Sequence, residues 1–217
     1  MGGETAEMPG VYATGEYDLA GFAVGVLEKR HRLPLRKPKP GDVLIGVASS
    51  GFHSNGFSLL RAWLPRSGSA RRKLMESWLE PTRIYIREVA PLIEAGKIVS
   101  CAHITGSGFL NIPRMSQEVS YALKMPRVSE RAHAFQWLYQ QLGNKTGMKS
   151  AELFQTFNMG LGLVMCVEAR NATSVLLALK KSKIKSWNVG RVVSRGKGRP
   201  CQVIVEDSTG TSFSLRY

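Results

Sequence analysis

One junction constrains the fold of this chain more than any other. The apolar run Val43-Leu44-Ile45-Gly46-Val47-Ala48 passes directly into Ser49-Ser50-Gly51-Phe52-His53-Ser54-Asn55-Gly56, and residues 57–64 resume with apolar side chains at helical intervals. A short apolar run bounded by turn residues reads as a buried strand, so the junction is strand, loop, helix. A second one follows the strand expected over residues 99–104, where Thr105-Gly106-Ser107-Gly108 forms a glycine-containing turn. Further strands are expected over 17–28, 161–167, 187–193 and 202–206. Helices are expected over 84–95, which stops before Gly96, and over 135–142, 150–157 and 172–181. Strands alternating with helices argue for a mixed α/β layered domain. Residues 29–39 are basic and proline-punctuated, as a linker or domain boundary would be.

The first loop suits an anionic ligand. Backbone N–H groups at a helix start and the hydroxyls of Ser49, Ser50 and Ser54 can donate to phosphate oxygens. His53 can add a charge-assisted donor or act as a general acid or base. Serine and asparagine also cap helices for purely structural reasons, so the residues alone leave both readings open. The same holds for His103, which can equally be a hydrogen-bonded core histidine.

The chain opens on Gly2-Gly3-Glu4-Thr5-Ala6-Glu7-Met8-Pro9. Two carboxylates with a threonine hydroxyl between them make a ligand set for a hard cation. Such a motif normally ends a strand that upstream sequence has positioned, so the chain is expected to be incomplete. Its three cysteines, Cys101, Cys166 and Cys201, show no metal-ligand spacing and no disulfide framework, which fits a reducing, cytoplasmic setting. No run of about eighteen apolar residues is present, so no transmembrane helix and no membrane partner is expected.

The net charge is +14 and unevenly spread. Six basic residues between Val26 and Pro40 face one acid, Glu28, and nine between Arg170 and Val205 face none. Such clusters attract polyanions, RNA among them, and equally suit phosphorylated ligands or a plain solvated face. No aromatic interleaving of the single-strand-binding kind accompanies the second cluster.

Taken in order, GGETAEMPGVY, GEYDLAGFAVGVLE, GDVLIGVASSGFHSNGFSLLR, PTRIYIREV, AHITGSGFLNIPR and FQTFNMGLG closely resemble the aminoimidazole ribonucleotide synthetase (phosphoribosylformylglycinamidine cyclo-ligase) family, from Gly2 to about Val205. The resemblance implies an α+β fold: a mixed-sheet α/β/α layered C-terminal domain over residues 39–217, and a remnant of an N-terminal α/β nucleotide-binding domain with its linker over 1–38. It implies ATP-dependent closure of the imidazole ring of a purine precursor, with ATP and Mg as cofactors and a phosphorylated ribonucleotide as substrate. The partner implied is the N-terminal half that this chain lacks, or a homodimer mate.

The resemblance also places residues. Glu4, Thr5 and Glu7 match the nucleotide–metal region, although no metal ligand set is assigned. His53 is the candidate catalytic residue. Ser50, Gly51, Ser54 and Asn55 match the substrate-facing loop, and Thr105, Gly106 and Gly108 the second turn. Thr82 and Arg83 match PTRIY, where the arginine is open between an anion contact and a surface salt bridge. Phe157, Asn158 and Gly160 match FNxG, read as a tight structural turn. Two departures stand out: Ser107 replaces a glycine of the family's TGGG turn, and the glutamate before Asn111 is gone. If position 107 required φ > 0, serine would strain the turn. The chain is therefore expected to be the C-terminal part of the synthetase, inactive alone. The alternative is a non-catalytic basic relative acting in binding or assembly on an RNA–protein particle.

Overall fold

The computed structural model describes residue 21 and residues 23–64, 68–142 and 147–217. The chain divides into two compact units, Met1–Arg32 and Leu33–Tyr217. In the first, the regular structure among described residues is a 3₁₀ turn, Lys29–His31. The strand expected over 17–28 is absent from its described part, residues 23–28, where Val24 and Val26 are 83% and 100% exposed. A strand exists as one member of a hydrogen-bonded pair, and no described residue pairs with this segment. The rest of that expected strand, together with Glu4, Thr5 and Glu7, lies outside the described residues.

The second unit is a mixed seven-stranded sheet. Its strands are β1 (Val43–Ala48), β2 (Ser100–His103), β3 (Val119–Lys124), β4 (Leu161–Val167), β5 (Ser186–Ser194), β6 (Gln202–Glu206) and β7 (Ser212–Arg216), in the spatial order β2-β4-β1-β5-β3-β6-β7. Every pair is antiparallel except β3 with β6. Six helices accompany it among the described residues: α1 (Phe57–Trp63), α2 (Ser69–Trp78), α3 (Ile86–Glu94), α4 (His133–Leu142), α5 (Ser150–Thr156) and α6 (Ala172–Lys181).

The helices lie on both faces, which makes the domain an α/β/α sandwich. Leu44, Val164 and Cys166 turn to one core with Phe52, Leu60, Trp78, Phe135 and Phe154. Ile45, Val47, Met165 and Val167 turn to the other, with Val89 and Leu92 of α3 and Val175 and Leu179 of α6. Because both faces are covered, β4 is buried along its whole length and reads as one apolar run. Each large side chain so buried contributes about 1.5–3 kcal/mol.

The expected elements form with end shifts of up to two residues, residues 17–28 aside. Three others, α2, β3 and β7, are additional. The second turn leads not into an α-helix but into a 3₁₀ run, Gly108–Met115, that includes Pro113.

Candidate functional site

Three segments meet at the end of β1: the loop 49–56, residues 81–85 leading into α3, and the turn 105–108 after β2. His53 stands where the first two meet, beside His103 of β2. It is 4% exposed and adopts φ 57°, a left-handed conformation uncommon outside glycine. Its Nε2 accepts hydrogen bonds from the backbone N–H of Ser50 (3.2 Å) and of Arg83 (3.5 Å). Its Nδ1 is buried and has no hydrogen-bond partner.

Two aromatic neighbours close the ring in. The centroids of His103 and Tyr85 lie 6.3 and 6.5 Å from that of His53. The Tyr85 hydroxyl donates to the Ala48 carbonyl at 3.0 Å, which ties the approach to α3 to the end of β1. Gly162 makes room for the group: a β-carbon there would stand 2.0 Å from Tyr85 Oη and 2.6 Å from His53 Cε1.

Burial sets the protonation of this cluster. It pushes His53 down to about 4, with His103 and Arg83 adding to the effect. Burial likewise lowers His103 and raises Tyr85 well above the usual phenol range. All three are neutral at pH 7, so the charge-assisted donor expected of His53 is not what the buried ring supplies.

The other expected residues lie on the same three segments. Ser50 Oγ donates to the Pro81 carbonyl at 2.6 Å, and Ser54 Oγ lies 3.5 Å from Thr82 Oγ1. These contacts stitch the loop to residues 81–82, and no side chain caps α1, which starts after Gly56. Asn55 Oδ1 lies 3.5 Å from where a β-carbon on Gly106 would stand, bringing the first loop to the second turn. The Thr105 N–H and hydroxyl both donate to Asn111 Oδ1, at 2.7 and 2.8 Å. Gly108 has φ 53°, and a β-carbon on it would fall 2.1 Å from the Phe154 carbonyl oxygen. Ser107, by contrast, has φ −96°, so the serine in place of a glycine carries no left-handed strain.

Arg83 is half-buried. Among the described residues it forms no ion pair, and its Nε is buried without a hydrogen-bond partner. The surface salt bridge considered for it is therefore not among the contacts of the described residues. Gly51 is held through Asn158, whose Nδ2 donates to the Gly51 carbonyl at 3.0 Å. His53, Ser54, Phe57, Trp78 and Thr82 line a shallow cleft of about 330 Å³. A larger groove of about 660 Å³ runs between α6 and β5 and contains none of these residues.

Tyr85, Asn111 and the supporting role of Asn158 escape a reading by residue type. The available signal was position: each sits inside a motif (PTRIY, NIPR, FNMG) next to a residue already singled out. Among the described residues no group of three or more His, Cys, Asp or Glu could hold a metal ion. The basic clusters are partly consumed internally: Arg36 pairs with Asp42 and Glu168, Lys37 with Glu118, and Arg170 with Glu168. No helix among the described residues is long and apolar enough to cross a membrane.

Residues 39–200 match the family described as AIR synthase related protein, C-terminal domain. The chain is 42% identical over 205 residues to the phosphoribosylformylglycinamidine cyclo-ligase of Polaromonas sp., covering 91% of this chain and 58% of that protein. It is 41% identical over 218 residues to the human trifunctional purine biosynthetic protein adenosine-3, covering 92% of this chain and 21% of that one. The fold is similar to that of the hydrogenase maturation protein HypE, with a TM-score of 0.54 at 18% identity over 82% of this chain and 53% of that structure. The chain thus spans a little over half the length of the single-function cyclo-ligase it matches.

Proposed function

We propose, from the premise that this chain belongs to the AIR synthase related family, that it supplies the substrate-facing domain for closing the imidazole ring of formylglycinamidine ribonucleotide. The product would be aminoimidazole ribonucleotide, a step of purine biosynthesis. The observation that carries the proposal is the meeting of the loop 49–56, residues 81–85 and His103 of β2 around His53, with the unpartnered Nδ1 of that histidine and the unpartnered Nε of Arg83 in the same locality. Buried polar atoms without partners are costly, and a bound ligand group relieves that cost.

Each residue has a task in this reading. Arg83 pairs with an anionic group of the ribonucleotide, a role for which guanidinium geometry is suited. The hydroxyls of Ser50 and Ser54 and the turn at Thr105–Gly108 orient the substrate, and much of the rate of an intramolecular cyclisation comes from such orientation. His53 contacts the reacting amide. ATP supplies the phosphoryl group that converts the formyl-amide oxygen into a leaving group. The described residues do not furnish a magnesium ligand set. In this reading Glu4, Thr5 and Glu7 belong to the nucleotide–metal region, and the remaining contacts come from the portion of the relatives that this chain does not span. Nothing in the relatives' names favours the alternative of a basic assembly protein on RNA.

Isothermal titration with formylglycinamidine ribonucleotide tests the proposal. Binding is expected for the wild-type chain and should weaken at least about tenfold in both Arg83→Ala and His53→Ala, the loss of one charge-assisted contact and one neutral contact respectively. Affinity unchanged in both variants, or no binding by the wild type, would overturn it. Adding Mg-ATP together with the uncovered N-terminal part of a related cyclo-ligase is expected to produce turnover.

A further inference from the structure

The hydrogen bonds around His53 decide more than its position. Nε2 faces two backbone N–H groups, those of Ser50 and Arg83. A backbone amide nitrogen donates and does not accept. A proton on Nε2 would therefore oppose two other N–H groups, and the lone pair must be on that atom. In a neutral imidazole the proton then belongs to Nδ1. We infer that His53 is locked as the Nδ1–H tautomer and serves as a neutral hydrogen-bond donor to an amide or carbonyl oxygen of the bound ligand, not as the base that removes a proton. The inference rests on the ligand site proposed above.

The described residues offer no other destination for that proton. Nδ1 is buried without a partner. The nearby hydroxyl, that of Tyr85, is committed as a donor to the Ala48 carbonyl. His103 lies 6.3 Å away, centroid to centroid, at 53° to the His53 ring, and makes no hydrogen bond with it. An unsatisfied buried donor costs about 1–3 kcal/mol, and the left-handed backbone of His53 adds about 1–2 kcal/mol more. Such a pair of costs persists where the surrounding structure over-determines the conformation. Here it does: Ser50 is tied to Pro81, Ser54 lies against Thr82, and Gly51 is tied to Asn158.

The same environment opposes the alternative roles. Protonating the ring would place a cation in a buried site beside Arg83, with no described carboxylate paired to either group. A general base would need Nε2 to be open to substrate, and that atom is occupied. What remains is the donor, and its complement is an oxygen acceptor. Such a bond holds the amide oxygen in place for attack on phosphorus and slackens as that oxygen gives up its electron pair, so its contribution is to binding and orientation.

Long-range proton–nitrogen NMR on the ¹⁵N-labelled chain reads the tautomer without any ligand. His53 should show a protonated Nδ1 and a bare Nε2 from pH 5.5 to pH 8. A protonated Nε2, or an imidazolium at pH 6.5, would overturn the assignment. Adding formylglycinamidine ribonucleotide should shift the Nδ1 resonance, whereas inorganic phosphate should not. An equal shift with phosphate alone would refute the amide-oxygen acceptor. Two substitutions separate the nitrogens: the His53→Asn amide reaches the Nδ1 position and the His53→Gln amide the Nε2 position. Ribonucleotide affinity should stay within about threefold in His53→Asn and fall at least about tenfold in His53→Gln. Equal losses in the two would count against the inference. Should the ribonucleotide fail to bind the wild type, the proposed function fails, while the NMR pattern still decides the tautomer.

Discussion

Asn158 and Ser49, 109 residues apart in the chain, meet in a buried hydrogen bond of 3.0 Å from the serine hydroxyl to the amide oxygen. The same oxygen accepts from the Gly160 N–H at 2.9 Å, and the amide nitrogen donates to the Gly51 carbonyl at 3.0 Å. One fully buried side chain therefore fixes both ends of the turn before β4 and the start of the His53 loop. A neighbouring brace comes from Arg131, which donates to the Met159 carbonyl at 3.2 Å and packs beneath Gly160. FNxG is a structural turn, as its sequence suggests, yet it is also the support on which the site loop rests.

Asn158→Ala should be correspondingly costly. It leaves the Gly51 carbonyl, the Gly160 N–H and the Ser49 hydroxyl without their partner, at about 1 kcal/mol for each bond. A loss of about 3 kcal/mol is expected, seen as a lower urea midpoint at constant m-value. Ser49→Ala removes one of the three bonds and should cost about 1 kcal/mol. Equal losses for the two substitutions would show that Asn158 does not act as a hub.

Stability should depend on pH through His53. Its folded value near 4 lies below the ordinary 6.5, so in acid the unfolded chain binds the proton first. Stability contributed by keeping this ring neutral is full above pH 6.5 and declines as the pH falls towards 4. His103, also lowered by burial, acts in the same direction. Asp42 behaves differently: burial pushes it up, but the Arg36 guanidinium, the Lys39 N–H and Cys166 together hold it below the ordinary carboxylate value, so its contribution is lost only at more acid pH. Urea titrations at pH 7 and pH 4.5 should show a clear loss in the wild type and a smaller one in His53→Asn. Equal losses in both proteins would contradict this assignment.

Gly162→Ala should be rescued by removing an atom elsewhere. The added methyl would stand 2.0 Å from Tyr85 Oη and 3.0 Å from Cζ. Overpacking of this kind costs about 1–3 kcal/mol. Tyr85→Phe alone forfeits the bond to Ala48, about 1 kcal/mol. In the double variant the closest clash is gone, so the combined loss should fall short of the sum by at least about 0.5 kcal/mol. Additive losses in thermal unfolding would show that the hydroxyl is not the obstacle.

Elements buried on both faces were the most legible in the sequence. β4 reads as an unbroken apolar run because each of its residues meets a core, and its expected and observed limits coincide. Strand β7, Ser-Phe-Ser-Leu-Arg, lies at the sheet edge beside β6 alone, and its alternating polar residues resemble a loop. In α2, Arg71, Arg72 and Lys73 interrupt the apolar spacing, although Trp78 still reaches the core. The site was legible as residue types in motifs. Its supports were not, because Tyr85 acts on Ala48 across 37 residues and Asn158 on Ser49 across 109. Such contacts leave no local period in the sequence. Burial, unknown before folding, lowers His53 and so disfavours the charge-assisted donor, one of the roles its residue type allows.

The turn 105–108 offers a paired test of which glycine matters. Ser107 has φ −96°, a value any residue adopts, so restoring glycine relieves nothing there. It enlarges the conformational freedom of the unfolded chain instead, and Ser107→Gly should destabilise by about 0.5–1 kcal/mol. Gly108 is the residue in the left-handed region, and its β-carbon would lie 2.1 Å from the Phe154 carbonyl oxygen and 2.7 Å from the Gln155 carbonyl carbon. Those are backbone atoms of α5 and cannot rotate away. Gly108→Ala should therefore cost at least about 2 kcal/mol, from left-handed strain and overpacking together. Thr105 and its bond to Asn111 lie in the same turn, so ribonucleotide affinity should fall in Gly108→Ala and stay near wild type in Ser107→Gly. Denaturant midpoints and calorimetric titration of both variants check the two halves, and a larger effect from Ser107→Gly would reverse the assignment of the essential glycine.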